Sequence, residues 1–233
     1  SNTRTHSIQL GNKMFIINCK NYDEIAGDKI IKIAKISERI SKKYKVPIAI
    51  APPHHLIPLI TKFKITVLAQ HVDDKKVGST TGFMVPEIVK KSKINGSIIN
   101  HSEHRISEKE IVSLVKRLQK LKLKTVLCVK NVNEAKKFAK LNPTFIAIEP
   151  PELIGTGRAI STEKPALISN AVKAVNTARN STKLLCGAGI VSGQDVSKAK
   201  ELGSKGILVA SGIVKAKNWE KIISEFCKGL KSQ

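Results

Sequence analysis

Three short stretches of the sequence combine residue types that can do chemistry together. Asn18 and Lys20 follow the apolar run Met14 to Asn18; His101 and Glu103 sit in Asn100-His101-Ser102-Glu103 after Ser97 to Asn100; Glu149 follows Phe145 to Ile148. A carboxylate can remove a proton from carbon, a neutral imidazole can hydrogen-bond a carbonyl oxygen, and an ammonium can stabilise the enediolate charge that develops. The set therefore describes proton transfer next to a carbonyl. Glycine-bearing turns follow two further runs, Cys186-Gly187-Ala188-Gly189 and Val209-Ala210-Ser211-Gly212. Backbone N–H groups in such turns suit a phosphate dianion. Taken singly, each residue has an ordinary explanation: a surface lysine, a structural histidine, a strand-end carboxylate, a tight-turn glycine. Their joint position is what carries the argument.

That position depends on the elements around them. Eight apolar, β-branched runs recur along the chain: Met14 to Asn18, Pro47 to Ala51, Thr66 to Gln70, Ser97 to Asn100, Thr125 to Val129, Phe145 to Ile148, Lys183 to Cys186 and Gly206 to Val209. Between most of them lie helical patterns, clearest from Asp28 to Tyr44, with Ile30, Ile33, Ala34 and Ile40 on one face. Ser107 and Glu110 form a capping box ahead of Ile111, Leu114, Val115 and Leu118. Further helices are expected at Asn133 to Lys140, Lys164 to Thr177, Gln194 to Leu202 and Asn218 to Leu230, whereas the link between the second and third runs is short and contains Pro58. Repeated βα units with eight strands predict an α/β fold, a single-domain (β/α)8 barrel over residues 13–233, with residues 1–12 expected to be a disordered tail. In such a barrel the active site forms at the carboxyl ends of the strands, where all the residues above fall.

Composition narrows the classes. The chain has 233 residues, 41% hydrophobic and 25% charged, a balance that supports a sizeable core. No apolar stretch is long enough to span a bilayer and no signal peptide is visible, so no membrane partner is expected. The four cysteines are widely spaced and form no metal-binding pattern; reduced thiols in the cytoplasm are the expected state. The charge is unusual: 41 Lys plus Arg against 18 Asp plus Glu gives a formal +23. Such a field attracts phosphorylated substrates and permits non-specific contact with polyanions. The lysines are nevertheless spread over successive helices and aromatic residues are only 4%, which favours a solvated surface over a base-stacking nucleic-acid site. The alternative reading from composition is a polyanion- or nucleic-acid-binding barrel with secondary or lost catalysis.

With the motifs assembled, the chain from Phe15 to about Leu230 resembles the triosephosphate isomerase family in motif content, order and spacing. Asn18-x-Lys20, His101-Ser102-Glu103, Glu149-Pro150-Pro151-Glu152-Leu153-Ile154-Gly155-Thr156-Gly157 and the two glycine turns carry the likeness, and their wording is most similar to the archaeal branch. The resemblance implies a TIM barrel that interconverts dihydroxyacetone phosphate and D-glyceraldehyde 3-phosphate in glycolysis and gluconeogenesis, with no cofactor and no metal. It implies Glu149 as catalytic base, His101 as electrophile, Lys20 as electrostatic stabiliser and Asn18 as a substrate contact, with Glu103 orienting or pairing with Lys20. The neutral histidine beside a carboxylate base is the arrangement established for this enzyme family. Backbone groups of Ile154, Gly155, Gly189, Ala210 and Ser211 would hold the phosphate, and a lid from Glu149 to Gly157 would close over it. Thr81, in Gly78-Ser79-Thr80-Thr81-Gly82, looks like the residue this family inserts into a neighbouring subunit's site, which implies a homo-oligomer. The archaeal branch is commonly tetrameric, and a +23 chain is expected to weaken that assembly toward a dimer. Cys19 stands where the family usually has an aromatic residue. As the cysteine nearest the proposed site, it is expected to make the protein sensitive to thiol reagents.

Overall fold

The computed structural model describes residues 13–153 and 156–231. The expected tail at 1–12 lies outside the described residues. Eight strands, β1 (Met14–Asn18), β2 (Ile48–Ala51), β3 (Thr66–Ala69), β4 (Gly96–Ile99), β5 (Lys124–Val129), β6 (Phe145–Ile148), β7 (Lys183–Gly187) and β8 (Gly206–Val209), pair in parallel and in sequence order. β8 pairs back onto β1, with Phe15 opposite Ile207, so the sheet closes into a barrel.

Around the barrel run α1 (Lys29–Tyr44), α2 (Pro86–Lys91), α3 (Glu108–Lys120), α4 (Val132–Ala139), α5 (Ile160–Glu163), α6 (Pro165–Asn176), α7 (Gly193–Glu201), α8 (Ser211–Val214) and α9 (Trp219–Lys231). The expected helix from Lys164 to Thr177 is preceded by the separate turn α5. Pro165 is the reason for the break: its ring disfavours helical backbone at Lys164, which takes φ −138°, ψ 58°. The link from β2 to β3 has no α-helix and uses a 3-10 segment, His54–Leu59, with Pro58 inside it. The Ser107–Glu110 capping box forms as the sequence predicts, and a second one joins Ser192 to Asp195. Among the described residues, no helix is long and apolar enough to cross a membrane.

The pleat divides the core in two. Met14, Ile16, Ala49, Leu68, Val126, Ala147 and Leu208 belong to the cluster that fills the barrel interior. Their strand neighbours, such as Phe15, Ile17, Ile146 and Val209, face the helices and form the larger cluster. Side chains alternate at a period of two, so a residue two places beyond an inward side chain also faces inward. Asn18 follows Ile16, Gln70 follows Leu68, Glu149 follows Ala147, Gly187 follows Leu185 and Ala210 follows Leu208. The barrel's hydrophobic filling thus turns polar at its carboxyl-end rim without any change in strand geometry.

Gly96 shows how tightly the strands approach: a Cβ there would lie 2.1 Å from the Lys124 carbonyl oxygen and 2.7 Å from its Cβ. Gly96→Ala is expected to cost about 3 kcal/mol, since backbone must move to admit it; urea unfolding of the two proteins would measure it.

Candidate active site

Lys20 occupies the left-handed region, with φ 46°. That conformation costs a non-glycine residue on the order of 1–2 kcal/mol, and local hydrogen bonds hold it. The Lys20 N–H donates to Asn18 Oδ1 at 3.0 Å, while Gln70 Nε2 donates to the Lys20 carbonyl at 2.9 Å and the Ala51 carbonyl at 3.1 Å. The Lys20 Nζ then reaches Glu103 Oε2 at 3.2 Å. Asn18 therefore shapes the turn that presents Lys20, and Gln70, which sequence reasoning passed over as the end of a strand, fixes the same turn from the other side. Its inward parity after Leu68 was the available signal.

His101 lies just beyond β4 and is buried. The Glu103 backbone N–H donates to His101 Nδ1 at 3.0 Å. Glu103 Oε1 also approaches Nδ1, at 3.4 Å; these contacts ask opposite things of the ring nitrogen. The backbone donor is shorter and needs a lone pair on Nδ1, while the Glu103 carboxylate is engaged by Lys20. Nδ1 is the acceptor, and the neutral ring carries its proton on Nε2. Nε2 is buried without a hydrogen-bond partner among the described residues and points toward Glu149, whose Oε2 is 3.6 Å away. Asn100, with φ 59°, sets this segment: its Nδ2 donates to the Cys128 carbonyl and its Oδ1 accepts from the Ile106 N–H, both at 3.1 Å.

Glu149 is buried, and Cys128 Sγ donates to its Oε1 at 3.6 Å. Burial first, and the neighbouring carboxylate second, push the Cys128 thiol well above its ordinary range, so it stays an S–H donor. The Glu149 side chain occupies space left by Gly187, where a Cβ would come within 2.5 Å of Glu149 Cγ. Neither Cys128 nor Gly187 is marked by any chemical pattern in the sequence; packing alone gives them their place.

One pocket gathers Asn18, Lys20, His101 and Glu149 with the backbone-bearing residues Gly189, Ala210 and Ser211. The turns after β7 and β8 meet closely: a Cβ on Gly212 would lie 2.3 Å from the Ile190 carbonyl oxygen, and Gly189, at φ 70°, backs onto Arg158. Gly157 also lines the pocket, and Thr156 Oγ1 caps the Leu153 carbonyl at 2.7 Å. Ile154 and Gly155 lie outside the described residues. Glu103 lines the adjoining cleft of about 780 Å³, which shares Asn18, Lys20 and His101 with the pocket and is bordered by Gly82, Phe83 and Met84. Thr81 is exposed and lines neither space of its own chain. The loop that carries it is anchored at its base, where Asp73 pairs with Met84 through both backbone and side chain and Arg117 holds Asp74 at 2.9 Å.

The expectation of a reactive Cys19 is overturned. Its side chain turns away from the rim into the sheet–helix core, fully buried, and burial pushes its thiol up to about 12. Cys186 and Cys227 are buried and raised for the same reason.

A closed (β/α)8 barrel whose carboxyl-end rim sets a carboxylate against an imidazole N–H, beside an ammonium and two glycine turns, defines an enzyme built for proton transfer next to a carbonyl. Residues 13–226 match the family model described as triosephosphate isomerase. The chain is 52% identical to the triosephosphate isomerase of Cenarchaeum symbiosum over 217 residues, covering 93% of this chain and 97% of that one. It is 41% identical to the enzyme of Methanocaldococcus jannaschii, covering 92% and 99% of the two chains, and 42% identical to that of Saccharolobus solfataricus, covering 91% and 94%. The chain belongs to the triosephosphate isomerase family.

Gly187→Ala is expected to push the Glu149 carboxylate out of place and lower turnover about 100-fold, with the circular-dichroism spectrum retained. The native protein should resist alkylation at all four cysteines, its thiols reacting with Ellman's reagent only after unfolding. Because the folded thiols hold their protons above the ordinary value of 9.0, the unfolded state binds fewer protons there. Stability should fall as pH rises past about 9, by up to about 1.4 kcal/mol per pH unit per thiol, measurable by denaturant titration.

Proposed function

We propose that the chain interconverts dihydroxyacetone phosphate and D-glyceraldehyde 3-phosphate through an enediolate, serving glycolysis and gluconeogenesis. The observation that carries the mechanism is the buried, unpaired Nε2 of His101 facing the Glu149 carboxylate beside Lys20. Glu149 removes the proton from the carbon next to the carbonyl, and the electron pair moves onto the carbonyl oxygen. His101 meets that oxygen with Nε2–H as a neutral donor, and the Lys20 ammonium stabilises the negative charge. The enediolate's hydroxyl proton then passes to the former carbonyl oxygen: His101 Nε2–H gives that oxygen a proton and takes one from the hydroxyl, and Glu149 returns its proton to the neighbouring carbon as the new carbonyl forms. Substrate atoms are rearranged with no net oxidation, so the chemistry requires no cofactor. Asn18 positions Lys20 and contacts substrate, while Glu103 keeps Lys20 and the His101 tautomer in register. Backbone groups of Gly189, Ala210 and Ser211 hold the phosphate, completed by Ile154 and Gly155 of the lid.

The chain is further proposed to act as a homodimer or homotetramer in which Thr81 enters the neighbouring subunit's site. The exposed Thr81, the exposed Phe83 and the cleft beside Lys20 and His101 support this reading. Four free, buried thiols support a reducing compartment, the cytoplasm. A polyanion-binding barrel with lost catalysis is disfavoured by a pocket that keeps base, imidazole and ammonium together.

In a coupled assay of glyceraldehyde 3-phosphate conversion, Glu149→Gln should lose about three or more orders of magnitude in turnover; near-normal turnover would overturn the mechanism. Phe83→Asp should shift the mass seen in light scattering toward monomer and lower specific activity on dilution. An unchanged mass would remove the loop from the assembly.

A further inference from the structure

Along the sequence the lysines look evenly scattered, but folding gathers them. In a closed parallel barrel all strands start at one rim, so the segments leading into β2 to β8 (45–47, 60–65, 92–95, 121–123, 140–144, 177–182 and 202–205) share the face opposite Glu149. Every one of these segments contains a lysine or arginine, and none contains an aspartate or glutamate. Most acids lie toward the other rim, where Glu87, Glu108, Glu110, Glu134, Asp195 and Glu220 occupy the first turns of their helices; Glu38, which accepts from the Lys64 N–H, and Glu201 at the end of α7 lie on the lysine side.

Helix-end electrostatics accounts for part of this polarity, since carboxylates favour helix N-termini and cations C-termini. It does not account for Lys124 and Lys183. They are the first residues of β5 and β7 and share the inward parity of Val126 and Leu185, so both point toward the mouth of the barrel. With Lys122 they line a recess of about 590 Å³ that reaches Phe145, and no carboxylate lines it. Lys124 and Lys183 are half-buried. Burial, and then the charge of Lys90, lower the Lys124 ammonium from its ordinary value, the mark of a cation without a counter-ion. The strongly exposed apolar side chains, Leu59, Val77, Phe83, Ile88 and Val191, all lie outside these segments. Phe63, the aromatic within these segments, is only partly exposed and packs on the core with Lys62 Nζ 5.4 Å from its ring centroid, so the face offers no extended apolar seat for a membrane and no row of aromatic platforms for unstacked bases.

We infer that this face, centred on Lys122, Lys124 and Lys183, binds the phosphate backbone of double-helical nucleic acid without reading its sequence, while the opposite rim carries the isomerase site. Lysines that outnumber the nearby acids neutralise successive phosphates and release their condensed counter-ions, which supplies the affinity. The surface is separate from the catalytic rim, so its occupation is compatible with turnover.

The test is fluorescence anisotropy of a labelled random-sequence DNA duplex with the full chain, titrated with KCl. Binding of about 10 µM is expected near 0.1 M salt, weakening steeply as salt rises. Lys122→Gln/Lys124→Gln/Lys183→Gln should weaken it at least about tenfold and make the log–log salt slope shallower by about 2.7, the value for three lost phosphate contacts. Lys29→Gln/Lys32→Gln/Lys35→Gln, which removes the same charge from exposed positions on α1, should keep affinity within about threefold. Isomerase turnover retained in both variants certifies the fold. If the first variant fails to fold, Lys183→Gln against Lys32→Gln gives the same comparison. Equal losses in the two variants, no binding near 0.1 M salt, tighter binding to a single strand, or tighter binding to phosphatidylserine vesicles would each overturn the inference.

Discussion

Pairing of β8 with β1 closes the sheet, and everything else in the molecule depends on that closure. Once closed, the sheet has no edge to protect, and every strand has one face inside the barrel and one toward the helices. The requirement to fill the interior is met by unequal partners, with Met14, Leu68 and Phe145 sharing it with Ala49, Ala51 and Ala147. Glycine appears where backbones come too close for a side chain, as at Gly96 against Lys124. Because the strands are parallel, all their carboxyl ends open on the same rim. A site assembled from β1, β4, β6, β7 and β8 is thus a consequence of topology, not of proximity along the chain.

The chemistry of the site rests on backbone as much as on side chains. A main-chain N–H from Glu103 decides which nitrogen of His101 holds the proton. Strain at Lys20 is offset by bonds to Asn18 and Gln70, so the ammonium is presented from a fixed turn instead of a flexible loop. Such preorganisation places charge before substrate arrives, and catalysis by electrostatic stabilisation needs little further reorganisation. Glu149 reaches across to His101 only because β7 supplies a glycine beside it.

Charge is organised by the same topology. Helices run antiparallel to the strands they cover, so the acidic first turns of α3, α4 and α7 lie at the catalytic rim and lysine-bearing segments lie at the opposite one. The positive charge is therefore less offset by carboxylates at the rim facing away from the site. Two rims at opposite ends of one barrel can carry surfaces that act independently, provided neither needs the other to move.

The sequence alone determined a good deal. Eight β-branched runs with helical patterns between them favour eight parallel strands, a count and alternation that can close a barrel around one core. Asn18, Lys20, His101 and Glu149 were legible because they follow directly on strands, where parity and topology send them to one rim. What the sequence could not express was contact between residues distant in the chain. The direction of Cys19 into the core, the tautomer of His101, the clearance that Gly187 gives Glu149 and the gathering of Lys122, Lys124 and Lys183 all arise when separate segments meet. Local pattern encodes which face a residue takes; only the folded backbone decides what stands opposite it, since packing distances are set by closure and not by spacing along the chain.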